Sequence, residues 1–228
     1  MARQPQAKAA PASDFGKRLL SAVVLIPPVL AAIHFGAPFF NILVIVGAAV
    51  LMYEVFTVSD RSVAWTLAGG VYVALAVYAL SALRGTENLG ALSVYWLFIL
   101  VWAADTVAYL AGRSLGGPKL APRLSPKKTW SGFFGALTGA AIVGAATGIY
   151  LEKTVLWHLV VVSAALGGVS QGGDLLESWF KRRFHRKDMS GLIPGHGGLF
   201  DRVDGLLAAA LAAWIGQMAS GKDLLAWL

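Results

Sequence analysis

Two polar islands and a few acids are the places where this otherwise apolar sequence could do chemistry on an anion. The larger island runs from Ser178 to Asp204 and holds Lys181, Arg182, Arg183, Arg186, Lys187, Asp188, a glycine-flanked His196, Asp201, Arg202 and Asp204. Cations at this density hold phosphate oxygens through charge-assisted hydrogen bonds. Carboxylates three residues apart share a helix face, and both Asp201 with Asp204 and Asp174 with Glu177 have that spacing. Two carboxylate-bearing helix ends separated by a basic loop can hold Mg²⁺ through a few carboxylates together with substrate phosphates and water. The plainer alternative pairs each acid with a neighbouring Lys or Arg at a membrane interface. For Asp174, Asp201 and Asp204 the metal or phosphate reading is preferred. Both readings stay open for Asp105, and for Glu54 the interfacial ion pair is preferred.

The second island is Ser125-Pro-Lys-Lys-Thr-Trp-Ser-Gly132, preceded by Arg113, Lys119 and Arg123. Pro126 ends any helix before it. Ser125, Lys127, Lys128, Thr129 and the free backbone N–H groups then offer phosphate donors where a helix begins, and a helix N-terminus favours an anion. The same cations could instead anchor the loop to acidic lipid head groups.

The elements that must position these residues are membrane spans. The chain of 228 residues is 57% hydrophobic and 14% charged, against about 25% charged in soluble domains. Seven runs approach the ~20 residues that cross ~30 Å of hydrocarbon as a helix: residues 18–35, 39–57, 63–83, 91–112, 132–151, 155–177 and 199–219. The fold expected is an all-α integral membrane protein of about seven transmembrane helices, with cytoplasmic polar loops forming the active site. Residues 1–16 suit a mobile cytoplasmic N-terminal tail and 17–228 a single polytopic catalytic domain. Pro27-Pro28 and the length of the first run favour a retained, kinked span over a cleaved signal peptide.

With the N-terminus cytoplasmic, only Arg84, Lys153 and Lys222 of the 19 Lys and Arg fall outside, as the positive-inside rule requires. Glu54, Asp105, Asp174, Glu177, Asp201 and Asp204 then share one leaflet. The net charge of +7 sits in short interspan loops, which argues against a nucleic-acid partner and for the lipid bilayer. Gly135-x3-Gly139, Gly144-x3-Gly148 and Gly168-x3-Gly172 suit close helix packing. The chain has no cysteine, which excludes disulfides and thiolate metal sites. It has no Walker-type phosphate loop. Acids crowded at one interface argue against a transporter, whose site would lie at the bilayer midplane.

Residues Ser178–Asp204 carry, without a gap, the signature of the phosphatidate cytidylyltransferases (CDP-diacylglycerol synthases). Asp105-Thr-Val-Ala-Tyr-Leu-Ala-Gly-Arg113, Ser-Pro-Lys-Lys-Thr-Trp and Gly173-Asp-Leu-Leu-Glu-Ser178 resemble further blocks of that family, in its order. The resemblance implies a nucleotidyltransferase that makes CDP-diacylglycerol and pyrophosphate from CTP and phosphatidic acid. It also implies Mg²⁺ as cofactor and a multi-pass location in the inner (plasma) membrane. On this reading Asp174, Asp201 and Asp204 surround the metal. Lys127, Lys128, Lys181, Arg182, Lys187 and Arg202 hold phosphates, and Asp188 orients Lys187 or joins the metal shell. His196 donates to a phosphate or orders its loop. A related enzyme acting on another lipid phosphate or a polyprenol is the alternative, and a homodimer stays open. Two departures stand out: Ser131 occupies a place where the family usually has Glu, and the chain is shorter than typical members by one or two spans before Asp105. The CDP-alcohol phosphotransferase motif does not occur.

Overall fold

In a bilayer every backbone N–H and C=O must find its partner inside the chain, so uninterrupted apolar runs become helices. The structure, a computed structural model, describes residues 12–193 and 197–227. Its helices are α1 (Ala12–Phe35), α2 (Phe39–Val58), α3 (Val63–Arg84), α4 (Gly90–Leu115), α5 (Trp130–Tyr150), α6 (Trp157–Arg183), α7 (Phe200–Ser220) and the short α8 (Leu224–Trp227). Among the described residues six of these, α2 to α7, are long and apolar enough to cross a membrane, and α1 adds a shorter apolar stretch over Val23–Phe35. Their outer faces confirm the solvent. Ile45, Leu67 and Ile142 are 65%, 65% and 61% exposed, and apolar surface so extensive belongs against lipid. This is a multi-pass membrane protein.

The expected spans and observed helices agree to within a few residues, with three differences. The tail expected over residues 1–16 is helical from Ala12; residues 1–11 lie outside the described residues. The second basic island is a hairpin rather than a loop. Strand β1 (Lys119–Ala121) pairs antiparallel with β2 (Ser125–Thr129), Lys119 opposite Thr129 and Ala121 opposite Ser125. Gly116 and Gly117, at φ 63° and 98°, turn the chain out of α4 into it. Pro126 forbids helix, and Thr129 is extended at φ −122° before its hydroxyl caps α5 by accepting from Gly132 N–H at 3.1 Å.

The third difference is in the glycines. Gly139 of α5 faces α4, where an added Cβ would stand 2.7 Å from Ala103 O; Gly144 faces α6, where it would stand 2.5 Å from Leu159 O. These bear out close packing for the α5 pairs. On α6 the packing register lies one residue away from the expected pair, at Gly167 and Gly173. Gly172 has open space, and Gly168 has only ordinary contact with Leu137 and Phe133.

Helices α4, α5, α6 and α7 pack in chain order, α7 also meets α3, and α1 lies against α2 and α4. One core joins Leu97, Leu100 and Ala104 of α4 to Ala136, Leu166 and Ala210. A second joins Leu51 and Val55 of α2, Val73 and Ala76 of α3 and Leu207 of α7 to Met189 of the long loop. Trp65, near the start of α3, meets Trp179, Phe180 and Phe184 edge-on at 5.8–6.1 Å. The C-terminal end of α6 is thereby gripped by aromatic contacts, and the polar residues of α6 sit at that end.

Candidate active site

Along the end of α6, Gln171, Asp174, Glu177 and Lys181 recur at helical spacing, so one face carries all four. Together they tie α6 to β2, α4 and α7. Lys128 Nζ of β2 lies 2.6 Å from Asp174 Oδ2 and donates to Gln171 Oε1 at 2.9 Å. Gln171 Nε2 passes the chain on to Asp105 Oδ1 of α4 at 2.9 Å. Hairpin, α6 and α4 are thus stitched together by one cation, one amide and two carboxylates.

Lys181 Nζ lies 2.6 Å from Glu177 Oε2 and 2.6 Å from Asp201 Oδ1, and all three side chains are almost fully withdrawn from solvent. The other oxygen of Asp201 accepts Met189 N–H at 3.0 Å and Gly198 N–H at 2.8 Å. Asp201 therefore joins the start of α7 to α6 and to both flanks of the loop. Asp204, one turn on, accepts the N–H of its neighbour Gly205 at 2.8 Å. Helices α6 and α7 touch here because residue 173 is glycine: an added Cβ would fall 2.6 Å from Asp204 O and 2.7 Å from Ala208 Cβ.

This contact brings Asp174, Glu177 and Asp204 together, each offering a carboxylate oxygen within 4.8 Å of the others. Glu177 Oε1 is buried without a hydrogen-bond partner among the described residues. Three carboxylates at that spacing repel, and a buried orphan acceptor is costly. Hard oxygen donors gathered in this way fit a Mg²⁺-like cation that completes its shell with water and phosphate oxygens.

Beside the carboxylates opens a cavity of about 630 Å³ with two kinds of wall. Leu25, Ile26, Val29 and Leu30 of α1 and Phe98, Val101 and Trp102 of α4 make one side apolar. Asp105, Asp174, Glu177, Lys181, Asp188, Asp201, Arg202 and Asp204 make the other charged.

Several expected residues take unexpected places. Asp174 and Asp204 stand in the three-carboxylate group, but Asp201 does not: both its oxygens are taken by Lys181 and the loop backbone, and Glu177 completes the group instead. Lys181, expected at a phosphate, is occupied by two carboxylates. Thr129 is buried at 4% exposure, and its hydroxyl serves the α5 cap and Ser131, so it does not face the cavity as a phosphate donor. Ser131, at the position where Glu is usual, donates to Gly116 O and pairs with Thr129 Oγ1 at 2.9 Å, closing the hairpin onto α5. Ser125 is half-buried in β2, while Lys127 and Lys187 are exposed. Arg182 is exposed and donates to Arg186 O at 3.0 Å. Arg202 and Asp188 line the cavity. His196 lies outside the described residues.

Sequence reasoning missed Gln171 and set Glu177 aside. The available signal was their register: each lies three residues from Asp174 on the same face of an apolar span, where polar groups are functional by default.

The sequence that builds this site has counterparts in known proteins. Residues 60–218 match the family model described as the cytidylyltransferase family. The phosphatidate cytidylyltransferase of Brucella abortus biovar 1 (strain 9-941) is 46% identical over 162 residues, 71% of this chain and 60% of that protein. That of Brucella suis biovar 1 is 47% identical over 151 residues, 66% of this chain and 56% of that protein. That of Rickettsia bellii is 34% identical over 206 residues, 87% of this chain and 88% of that protein. The chain thus spans about 60% of the length of the Brucella abortus relative it matches. The matched residues hold β2, the acidic face of α6 and the start of α7, so the charged side of the site lies within them, and the chain belongs to the cytidylyltransferase family.

Proposed function

We propose that this protein is a Mg²⁺-dependent nucleotidyltransferase that makes CDP-diacylglycerol and pyrophosphate from CTP and phosphatidic acid. The observation that carries the reading is the two-walled cavity. A phospholipid phosphate has the same division, with apolar chains that suit the α1–α4 wall and an anionic head that suits the side carrying Arg202 and the carboxylate group. A soluble nucleotide substrate would need no apolar wall, and a neutral lipid would need no charged one. The names of the relatives support the same activity.

In the proposed reaction a phosphatidate oxygen attacks the α-phosphorus of CTP. The new P–O bond forms as the bond from that phosphorus to the bridging oxygen breaks, and pyrophosphate leaves with the electron pair. The nucleophile is already ionised near neutral pH, so no side chain has to remove a proton. The protein's work is to align two polyanions and offset charge. Asp174, Glu177 and Asp204 would hold the cation, which when bound neutralises charge on the phosphates. Arg202 serves the phosphates from the cavity wall. Lys128 fixes Asp174 and neutralises part of the acidic face. Lys181 holds Glu177 and Asp201 in place, and Asp201 fixes the loop.

The positive-inside distribution supports a cytoplasmic N-terminus and a cytoplasmic site in the inner membrane, where water-borne CTP meets lipid. The test is purified protein in lipid nanodiscs with Mg²⁺, CTP and phosphatidate. A CDP-lipid and pyrophosphate in equal amounts are expected. Absence of product with several phosphatidates would defeat the assignment, and turnover only with a polyprenol or another lipid phosphate would move it to that acceptor.

A further inference from the structure

Glu54 is fully buried in α2, a helix that otherwise carries no ionisable side chain except Tyr53. Its charge has a specific destination. Oε1 accepts from Ser190 Oγ at 2.5 Å and from Leu199 N–H at 2.8 Å, and Oε2 accepts from Phe200 N–H at 2.8 Å. Among the described residues, the interfacial ion pair expected of this residue is replaced by neutral donors from the loop and from the start of another helix.

Helix starts leave their first N–H groups without intrahelical partners. Leu199, the residue at the head of α7, supplies no side-chain cap. A carboxylate from α2, 145 residues earlier, provides it and places negative charge at the positive end of the helix. The fit has no slack. A Cβ on Gly198 would stand 2.6 Å from Glu54 Oε1 and 3.0 Å from Met189 Cβ. Val55, Met189, Phe200 and Leu207 belong to the apolar cluster around it, which keeps water from competing for these donors.

We propose that Glu54 is a positioning residue for the reaction. It grips the loop at Ser190 and the head of α7 at Leu199 and Phe200, so the next residues, Asp201 and Asp204, arrive in register with Lys181, Glu177 and Asp174. Glu54 itself is not among the side chains lining the cavity and touches no substrate. The inference rests on the nucleotidyltransferase reading for its catalytic part, whereas the clamp itself can be measured without turnover.

The test uses the full chain in nanodiscs. Glu54→Gln keeps the side chain's size but leaves one acceptor oxygen for three donors and turns an amide N–H₂ toward them. Hydrogen–deuterium exchange over residues 197–201 is expected to rise about ten- to a hundredfold, as for buried amides that lose their acceptor. Turnover kcat is expected to fall at least about tenfold, since small displacements of reacting groups carry such losses, with KM for CTP changed less than about threefold. Glu54→Asp, with both oxygens and the charge retained, should recover part of both. If Glu54→Gln does not fold, Ser190→Ala and Gly198→Ala decide, the first with a milder and the second with a comparable rise in exchange and loss of kcat. Wild-type exchange in these variants, or a loss of kcat without faster exchange, overturns the proposal. Wild-type protein that makes no CDP-lipid overturns the functional reading instead, and the exchange data still decide the clamp.

Discussion

Replacing Lys181 by methionine removes one ammonium and leaves two carboxylates facing each other in a nearly dry site. In the native protein Nζ lies 2.6 Å from Glu177 Oε2 and 2.6 Å from Asp201 Oδ1, with side-chain exposures of 11%, 2% and 7%. At these burials solvent screens little, and removing one partner of a buried ion pair costs about 3–5 kcal/mol. For a chain of this size that corresponds to a fall in Tm of roughly 6–20 °C. Methionine fills a volume close to that of the lysine stem, so lost packing contributes little. Adding Glu177→Gln to Lys181→Met removes the repulsion and should recover part of the loss, a coupling of about 0.5–3 kcal/mol. Asp201 keeps its two backbone donors in that background. Thermal unfolding in one detergent, followed by tryptophan fluorescence, measures all three proteins. A Lys181→Met protein whose Tm falls by less than about 3 °C, or a double variant no better than the single one, would show that the ammonium does not hold these carboxylates.

Asp204→Asn should leave the fold intact, because the amide oxygen can still accept Gly205 N–H, while raising the Mg²⁺ concentration for half-maximal activity at least about tenfold. An unchanged Mg²⁺ dependence would remove Asp204 from the cation site. Gly173→Ala pushes a methyl into Asp204 O and Ala208 Cβ; it should cost about 1–3 kcal/mol as overpacking and raise the Mg²⁺ requirement as the carboxylates separate. Wild-type stability and Mg²⁺ response would contradict the close α6–α7 contact. Because the chain has no cysteine, single cysteines at exposed Lys127 and at Glu87 can report sidedness. The proposed orientation predicts that a membrane-impermeant thiol reagent reaches position 87 in spheroplasts and position 127 only after lysis, and the reverse pattern would invert it.

Hydropathy made the spans legible. The run expected at 39–57 is α2 (Phe39–Val58), and that at 199–219 is α7 (Phe200–Ser220), because lipid imposes one structural solution on any apolar run of that length. The convergence of acids on one end of the bundle was legible too, since alternating spans fix which helix ends share a face. The division of labour among those acids was not. Periodicity puts Asp174 with Glu177 and Asp201 with Asp204 on shared faces, but it cannot say which carboxylate is already spent. That depends on where Lys181 and the N–H groups of Met189 and Gly198 come to rest, which is settled by tertiary packing. The hairpin of Lys119–Thr129 was hidden for a similar reason: its strands are short and polar, and its partner residues carry no alternation to read. Glu54 looked like an interfacial acid because sequence shows a charge in an apolar helix and not the helix start it caps.

The most direct test follows the phosphorus atoms of CTP. Wild-type protein in nanodiscs with phosphatidate and Mg²⁺ receives CTP labelled at the α-phosphate in one reaction and at the γ-phosphate in another. The account predicts that the α-label enters the lipid fraction, the γ-label appears in pyrophosphate, and Asp204→Asn gives both only at a higher Mg²⁺ concentration. The γ-label in lipid would mean phosphoryl rather than cytidylyl transfer. No lipid label at all would contradict the reading of the cavity as a cytidylyltransferase site.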